Sequence, residues 1–192
     1  MKGYKDKELL DKVKSLPSFK GIPEGYWLLG VRSLGDLPNK YDDKIYLFKG
    51  EDFIKVVSAT TNAGLPVLKG GFLKYNSMGA AIVKTQEWYY DVWAYGLHNG
   101  KMKALKQVGN FLVYRDGDKD DKAEEIGKVF EGNHFGINMH SISYNLAVDK
   151  IGINIGEWSA GCQVVNDVQK YVEIIDLVKD QKRVSYCLIK EF

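Results

Sequence analysis

The chain has little cysteine. Of its 192 residues only Cys162 and Cys187 carry a thiol, so a scaffold stapled by several disulfides is excluded. Two thiols still allow one disulfide, or one working cysteine and one buried bystander. A surplus of one charge is lacking too. Lys plus Arg number 27 and Asp plus Glu 25, a formal +2, without the cationic excess that lets nucleic-acid binders displace phosphate counterions. No apolar run approaches the ~18 residues of a membrane-spanning helix. Lys5, Lys7, Asp11, Lys12 and Lys14 interrupt every early stretch that could serve as a secretion signal. Tandem repeats and low-complexity tracts are absent as well. These absences predict no nucleic-acid partner, no membrane span and no export address in the chain itself. They leave the oligomeric state open.

What is present is aromatic and turn-rich: 20 Gly, 12 Tyr, 8 Phe and 4 Trp, a composition that favours strands and turns. Leu9, Leu10, Val13 and Leu16 fall on one side of a short helix that Pro17 ends. From Tyr26 onward, β-branched and aromatic runs predict strands over residues 26–31, 44–48, 53–59 and 111–114. Gly-, Asn- and Asp-bearing segments separate them at 34–43, 61–65 and 116–121. Val168, Tyr171, Val172, Ile175 and Val178 then mark one helix face, with Asn166 or Asp167 as the cap. Residues 184–189 close the chain as a strand, on which Cys187 reads as a small buried hydrophobe. The prediction is a mostly β (α+β) protein, with residues 1–19 a helical extension and residues 20–192 one domain.

Chemistry concentrates between residues 132 and 165. His140 closes the apolar run Phe135 to Met139, and Cys162 ends the tetrad Ser159-Ala160-Gly161-Cys162. Small residues before a thiol let the backbone turn tightly and bring N–H groups toward a bound carbonyl oxygen. A thiol attacks as thiolate, and an imidazole can take its proton. Cys162 follows His140 by 22 positions, so the two can meet at the ends of adjacent strands. The competing reading is a packed cysteine and an ordinary strand-end histidine.

His140-Ser141-Ile142-Ser143, Gly156 and Ser159-Ala160-Gly161-Cys162-Gln163-Val164 together resemble the active-site signature of L,D-transpeptidase catalytic domains. Further phrases resemble a subset of these domains found in phage and prophage proteins. They are Gly30-Val31-Arg32-Ser33, Tyr41-Asp42-Asp43, Thr60-Thr61-Asn62-Ala63-Gly64, Leu97-His98-Asn99-Gly100 and Tyr114-Arg115-Asp116. The resemblance covers roughly residues 20–192. It implies a β-sandwich or barrel with a helix after the cysteine loop, and cysteine acyl transfer on peptidoglycan stem peptides without a cofactor. It implies Cys162 as nucleophile, His140 as base and later acid, and Gly161 and Cys162 N–H groups as oxyanion donors. Ser159 would shape the loop, and a main-chain carbonyl would orient the histidine. His98, Ser141 and Trp158 are candidate groove residues. The chain departs from the family at Ala160, where histidine is common, at Val164, where arginine is common, and at Ser141, where glycine is common. The departures bear on substrate choice and support an alternative, a non-catalytic wall-binding or virion module. A phage-like setting would place the protein in a virion or an infected host, with lysis as the route to the wall.

Other motifs lead elsewhere. The chain order, histidine before cysteine, disfavours a papain-type protease. His98, His134 and His140 are a conceivable metal set, but no HExxH spacing occurs, and the site residues are read as metal-free. Residues 116–127 start like a calcium loop but have Asp121 at position 6 and Gly127 at position 12, so the EF-hand pattern fails. Trp88, Tyr89, Tyr90, Trp93 and Tyr95 are read chiefly as packing, with a sugar or peptide platform as the alternative.

Overall fold

The computed structural model describes residues 2–35, 37 and 39–192; part of the expected 34–43 turn lies outside them. Eight strands form a closed barrel in the order β1 (Tyr26–Arg32), β11 (Val184–Lys190), β5 (Glu87–His98), β6 (Met102–Gln107), β9 (Met139–Ser141), β10 (Gln163–Val165), β3 (Asp52–Thr60) and β2 (Asp43–Lys49). A second sheet holds β4 (Ala80–Val83), β7 (Phe111–Asp116) and β8 (Phe130–Gly132). The helices are α1 (Asp6–Lys14) and α2 (Val168–Val178), and a π-helical turn spans Val67–Gly71. The mostly β prediction agrees with this architecture, and the strands expected at 26–31, 44–48, 53–59 and 111–114 fall within β1, β2, β3 and β7.

Strand alternation separates two cores. Leu28, Ile45, Leu47, Tyr186 and Leu188 face the barrel interior. Trp27, Leu29, Tyr46, Phe48 and Ile189 face outward and are covered by Leu9, Leu10, Val13 and Leu16 of the N-terminal helix. Each such aliphatic side chain stabilises the fold by about 1.5–3 kcal/mol when buried. Cys187 lies fully buried on this outer face and, like Cys162, is a free thiol. Tyr171, Ile174, Ile175 and Val178 of α2 join the interior core, and Asp167 caps the helix by accepting the Lys170 N–H at 3.1 Å. The small sheet has two faces as well: Ala81, Val83, Phe111 and Val113 pack into the interior core, while Ala80 and Ile82 meet Ala63, Val67 and Leu68. The aromatic cluster divides the same way, Tyr89 and Trp93 inward and Trp88 toward α1.

Two pairings are parallel, β1 with β11 and β9 with β10. Parallel neighbours cannot be joined by a hairpin and need a long crossover. For β9 and β10 that crossover is residues 142–162, an irregular segment ending in the Ser159–Cys162 tetrad. A buried polar network steadies the neighbouring corner. Asp43 accepts the Ser33 N–H at 2.8 Å, the Thr61 N–H at 2.6 Å and the Thr61 hydroxyl at 2.7 Å. Arg32 donates to Thr61 and to Glu125. Burial pushes the Asp43 carboxyl up to about 6, against the opposing pull of Arg32 and these hydrogen bonds. Just past this corner the Gly64 N–H donates to the Ser159 carbonyl at 3.0 Å, so the network holds one side of the tetrad.

Candidate active site

The parallel register sets Gln163 beside Met139 and Val164 beside His140. Met139 and Val165 point into the barrel. Alternation therefore turns His140, Val164 and Cys162 to the outer face, where Ile142, Val164 and Val168 are buried and Trp158 and Cys162 pack against them. The residues 22 positions apart become neighbours: the Cys162 sulfur and a His140 ring nitrogen lie within 4.8 Å. The run Phe135 to Met139, expected as strand up to His140, is strand only from Met139, because the segment before it bends through Gly136 at φ +73°.

Main-chain carbonyls, those of Ser141 and Trp158, orient the His140 ring. Its Nδ1 lies 2.7 Å from the Ser141 carbonyl, an acceptor, so Nδ1 carries the proton and Nε2 presents a lone pair. That Nε2 is buried with no hydrogen-bond partner among the described residues, and the residue is only 1% exposed. Burial, with His98 alongside, lowers the proton affinity of His140 to about 3, while the Ser141 and Trp158 carbonyls act in the opposite sense. The Cys162 thiol donates to the Gly136 carbonyl at 3.3 Å. Burial pushes it up to about 11, and the Asn138 N–H partly offsets that rise. The resting pair is thus a neutral thiol beside a neutral imidazole, not a stored thiolate–imidazolium.

His98 stacks on His140 with ring centroids 4.2 Å apart. Asn138 Oδ1 accepts the Gln107 N–H at 2.9 Å, which orients the amide so that its Nδ2 faces His98 Nδ1 at 3.0 Å. An amide donor there requires an unprotonated Nδ1, and burial also lowers the proton affinity of His98.

The tetrad is tied down at each residue. Ala160 accepts the Ala81 N–H at 3.1 Å. The Ser159 hydroxyl donates to the Cys162 carbonyl at 2.8 Å and accepts the Gly161 N–H at 3.1 Å. From inside the barrel, Gln163 Nε2 donates to the Gly161 carbonyl at 3.1 Å, and Gln163 Oε1 accepts the Tyr186 hydroxyl at 2.7 Å. Ala160 packs against the cluster of Ala63, Val67 and Leu68, and Val164 is fully buried against Ile142 and Val168. Two of the three departures from the signature, Ala160 and Val164, are thus small apolar residues in apolar surroundings.

Among the expected groove residues, Trp158 is half-buried with its ring 6.4 Å from that of His140, and Tyr144 packs on it at 5.7 Å. His98 is half-buried as well. Ser141 is not on a surface: its side chain is fully buried, because strand alternation turns it away from His140, and it serves through its carbonyl. The Gly161 N–H is likewise engaged by Ser159 and does not stand free. An open depression of about 410 Å³ continues past Tyr144, lined by Lys101, Lys103, Leu146, Val172 and Asp176.

Models of known protein families, curated proteins and solved structures all fail to match the chain. The functional reading therefore rests on the geometry and on the sequence resemblance. Of the three histidines, His98 and His140 join Cys162 in a cluster whose nitrogen and sulfur atoms lie within 4.8 Å of one another, a donor set of the kind that can hold zinc. His134 is not part of it and packs on Phe135, ring centroids 4.9 Å apart. Gly136, Asn138 and Tyr186 are not marked by their local sequence, since each acts across a long separation in the chain.

Proposed function

We propose that the protein is a cysteine acyltransferase of the L,D-transpeptidase kind, acting on peptidoglycan stem peptides. One observation carries this reading: a buried, unpartnered imidazole lone pair on His140 beside the thiol of Cys162. In the reaction, Cys162 Sγ attacks a substrate carbonyl carbon as its proton passes to His140 Nε2. The oxyanion is met by the Cys162 N–H, held in place by the tied tetrad. The carbonyl–nitrogen bond then breaks, and His140 returns the proton to the leaving amine, giving a thioester on Cys162. An acceptor amine completes transpeptidation, and water completes hydrolysis. The neutral pair acts as nucleophile and general base, and the carbonyls of Ser141 and Trp158 favour the imidazolium that forms in the transition state. Lys101 and Lys103 on the adjoining depression suit a peptide with free carboxylates.

Incubation of the protein with purified sacculi, followed by mass spectrometry of the muropeptides, tests this. New cross-linked or shortened stems are expected with wild type and are expected to vanish with Cys162→Ala. Identical profiles for the two proteins across several wall chemistries, with retention on sacculi, would instead support the non-catalytic binding module that the apolar Ala160 and Val164 allow.

A further inference from the structure

The thiol–imidazole pair has a third ring beside it. His98, the last residue of β5, stacks on His140 with ring centroids 4.2 Å apart and planes 28° from parallel. One of its nitrogens also lies within 4.8 Å of the Cys162 sulfur. Rings so nearly parallel aim their lone pairs along separate planes, whereas zinc needs donors that converge on one point. The contact therefore has the geometry of a support, face against face. Trp158, also near His140, is tilted by 54° with its ring centroid 6.4 Å away, so His98 supplies the close face.

The support is itself anchored. His98 Nδ1 accepts from the Asn138 side-chain amide at 3.0 Å, and Asn138 is buried. Asn138 Oδ1 accepts the Gln107 N–H at 2.9 Å, and its carbonyl accepts the Gln163 N–H at 2.8 Å. Gln107 reaches back as well, its Oε1 accepting the Ile137 N–H at 2.9 Å. The main-chain N–H of Asn138 meanwhile acts on the Cys162 thiol. One residue thus ties down His98 and touches the nucleophile, so both keep a common frame.

We propose that His98 is a positioning residue: its ring, tied to Asn138, is the plate that keeps the His140 ring turned toward Cys162. The Ser141 and Trp158 carbonyls act on the edges of the imidazole. Contacts at an edge set its direction in the plane but resist a tilt out of the plane only weakly. A plate against the face removes that tilt, and a general base loses rate steeply when misplaced by about 1 Å. His98 acts through His140 and need not touch substrate. Its effect on rate rests on the acyl-transfer reading; its effect on the ring does not.

The test compares the full chain with His98→Ala, which removes the plate, and His98→Phe, which keeps a ring there without the Asn138 bond. Long-range ¹H–¹⁵N spectra of ¹⁵N-histidine-labelled protein at neutral pH read the His140 ring. Wild type is expected to show one tautomer, with the proton on Nδ1. In His98→Ala the two ring nitrogen signals of His140 are expected to move toward each other as tautomers mix, and His98→Phe to keep the single tautomer. Acyl transfer to stem peptides is expected to lose about 10–100-fold in kcat in His98→Ala, with KM within about twofold. His98→Phe should recover kcat to within about fivefold of wild type, and thermal melts of both variants should stay within a few degrees. Unchanged His140 signals in His98→Ala would overturn the proposal. So would a rise in KM at constant kcat, which marks a groove residue, or equal losses in the two variants, which mark a structural one. The spectra need no substrate: if wild type transfers no acyl group, the functional reading fails while the spectra still decide the role of His98.

Discussion

Alkylation of Cys162 by iodoacetamide is expected to be slow at neutral pH and to accelerate by about tenfold per pH unit from pH 7 to pH 10, with no plateau in between. The sign follows from the site. Burial raises the thiol to about 11, so the thiolate fraction climbs tenfold per unit throughout that range. Burial lowers His140 to about 3, so the imidazole is neutral at pH 7 and cannot hold a thiolate as its counterion. His140→Ala should therefore change the alkylation rate at pH 7 by less than about threefold, yet reduce acyl transfer by about 10²–10⁴-fold, the range for loss of a positioned general base. Peptide mapping separates the two thiols, because Cys187 is fully buried beneath α1 and should stay unmodified. A fast alkylation plateau below pH 7 that collapses in His140→Ala would show a preformed ion pair and refute the neutral-pair assignment.

The second large effect is steric. Gly161 adopts φ +134°, and a Cβ placed there would lie 2.4 Å from the Ala81 carbonyl oxygen and 3.0 Å from Ala81 Cβ and Ile137 Cδ1. The carbonyl belongs to strand backbone whose N–H already holds Ala160, so nothing soft can yield. Gly161→Ala is expected to cost about 2–4 kcal/mol from backbone strain plus overpacking, and to lower acyl transfer at least ~100-fold by displacing Cys162 from its oxyanion position. Gly156→Ala is the control. It sits at φ +59° with nothing within 4 Å of an added Cβ, so only the left-handed backbone penalty of about 1–2 kcal/mol applies. Urea unfolding of both variants measures the contrast. Equal losses would mean that backbone conformation, not contact with Ala81, decides the cost at Gly161.

How much of this was legible in the chain differs from element to element. The long strands β1, β2, β3 and β11 and both helices carry their period and their caps locally, so composition and spacing predict them. The strands that build the site do not. β9 and β10 are three residues each, too short to display alternation, and their parallel register pairs residues 24 positions apart. His140 and Cys162 were identifiable because histidine and cysteine are rare here and small residues precede the thiol. Their ionisation was not, since it depends on burial and on a neighbouring His98 brought from another strand. The supports of the tetrad, Ala81, Gln163 and Tyr186, are strand residues of unremarkable type and gain their role only when the barrel closes. The 116–127 segment shows the opposite case. Its spacing does not fit an EF-hand, while the approach of Asp118, Asp120 and Glu124 to one another belongs to the folded chain.

The most direct test of the central claim is intact-mass spectrometry of the protein quenched with acid during incubation with stem peptides or sacculi. A mass increase equal to an acyl-peptide fragment is expected on wild type, mapped to Cys162 and removed by neutral hydroxylamine, as a thioester would be. His140→Ala should form the adduct far more slowly, and Cys162→Ala should form none. Turnover of the substrate with no adduct on Cys162, or an adduct that persists in Cys162→Ala, would contradict the account.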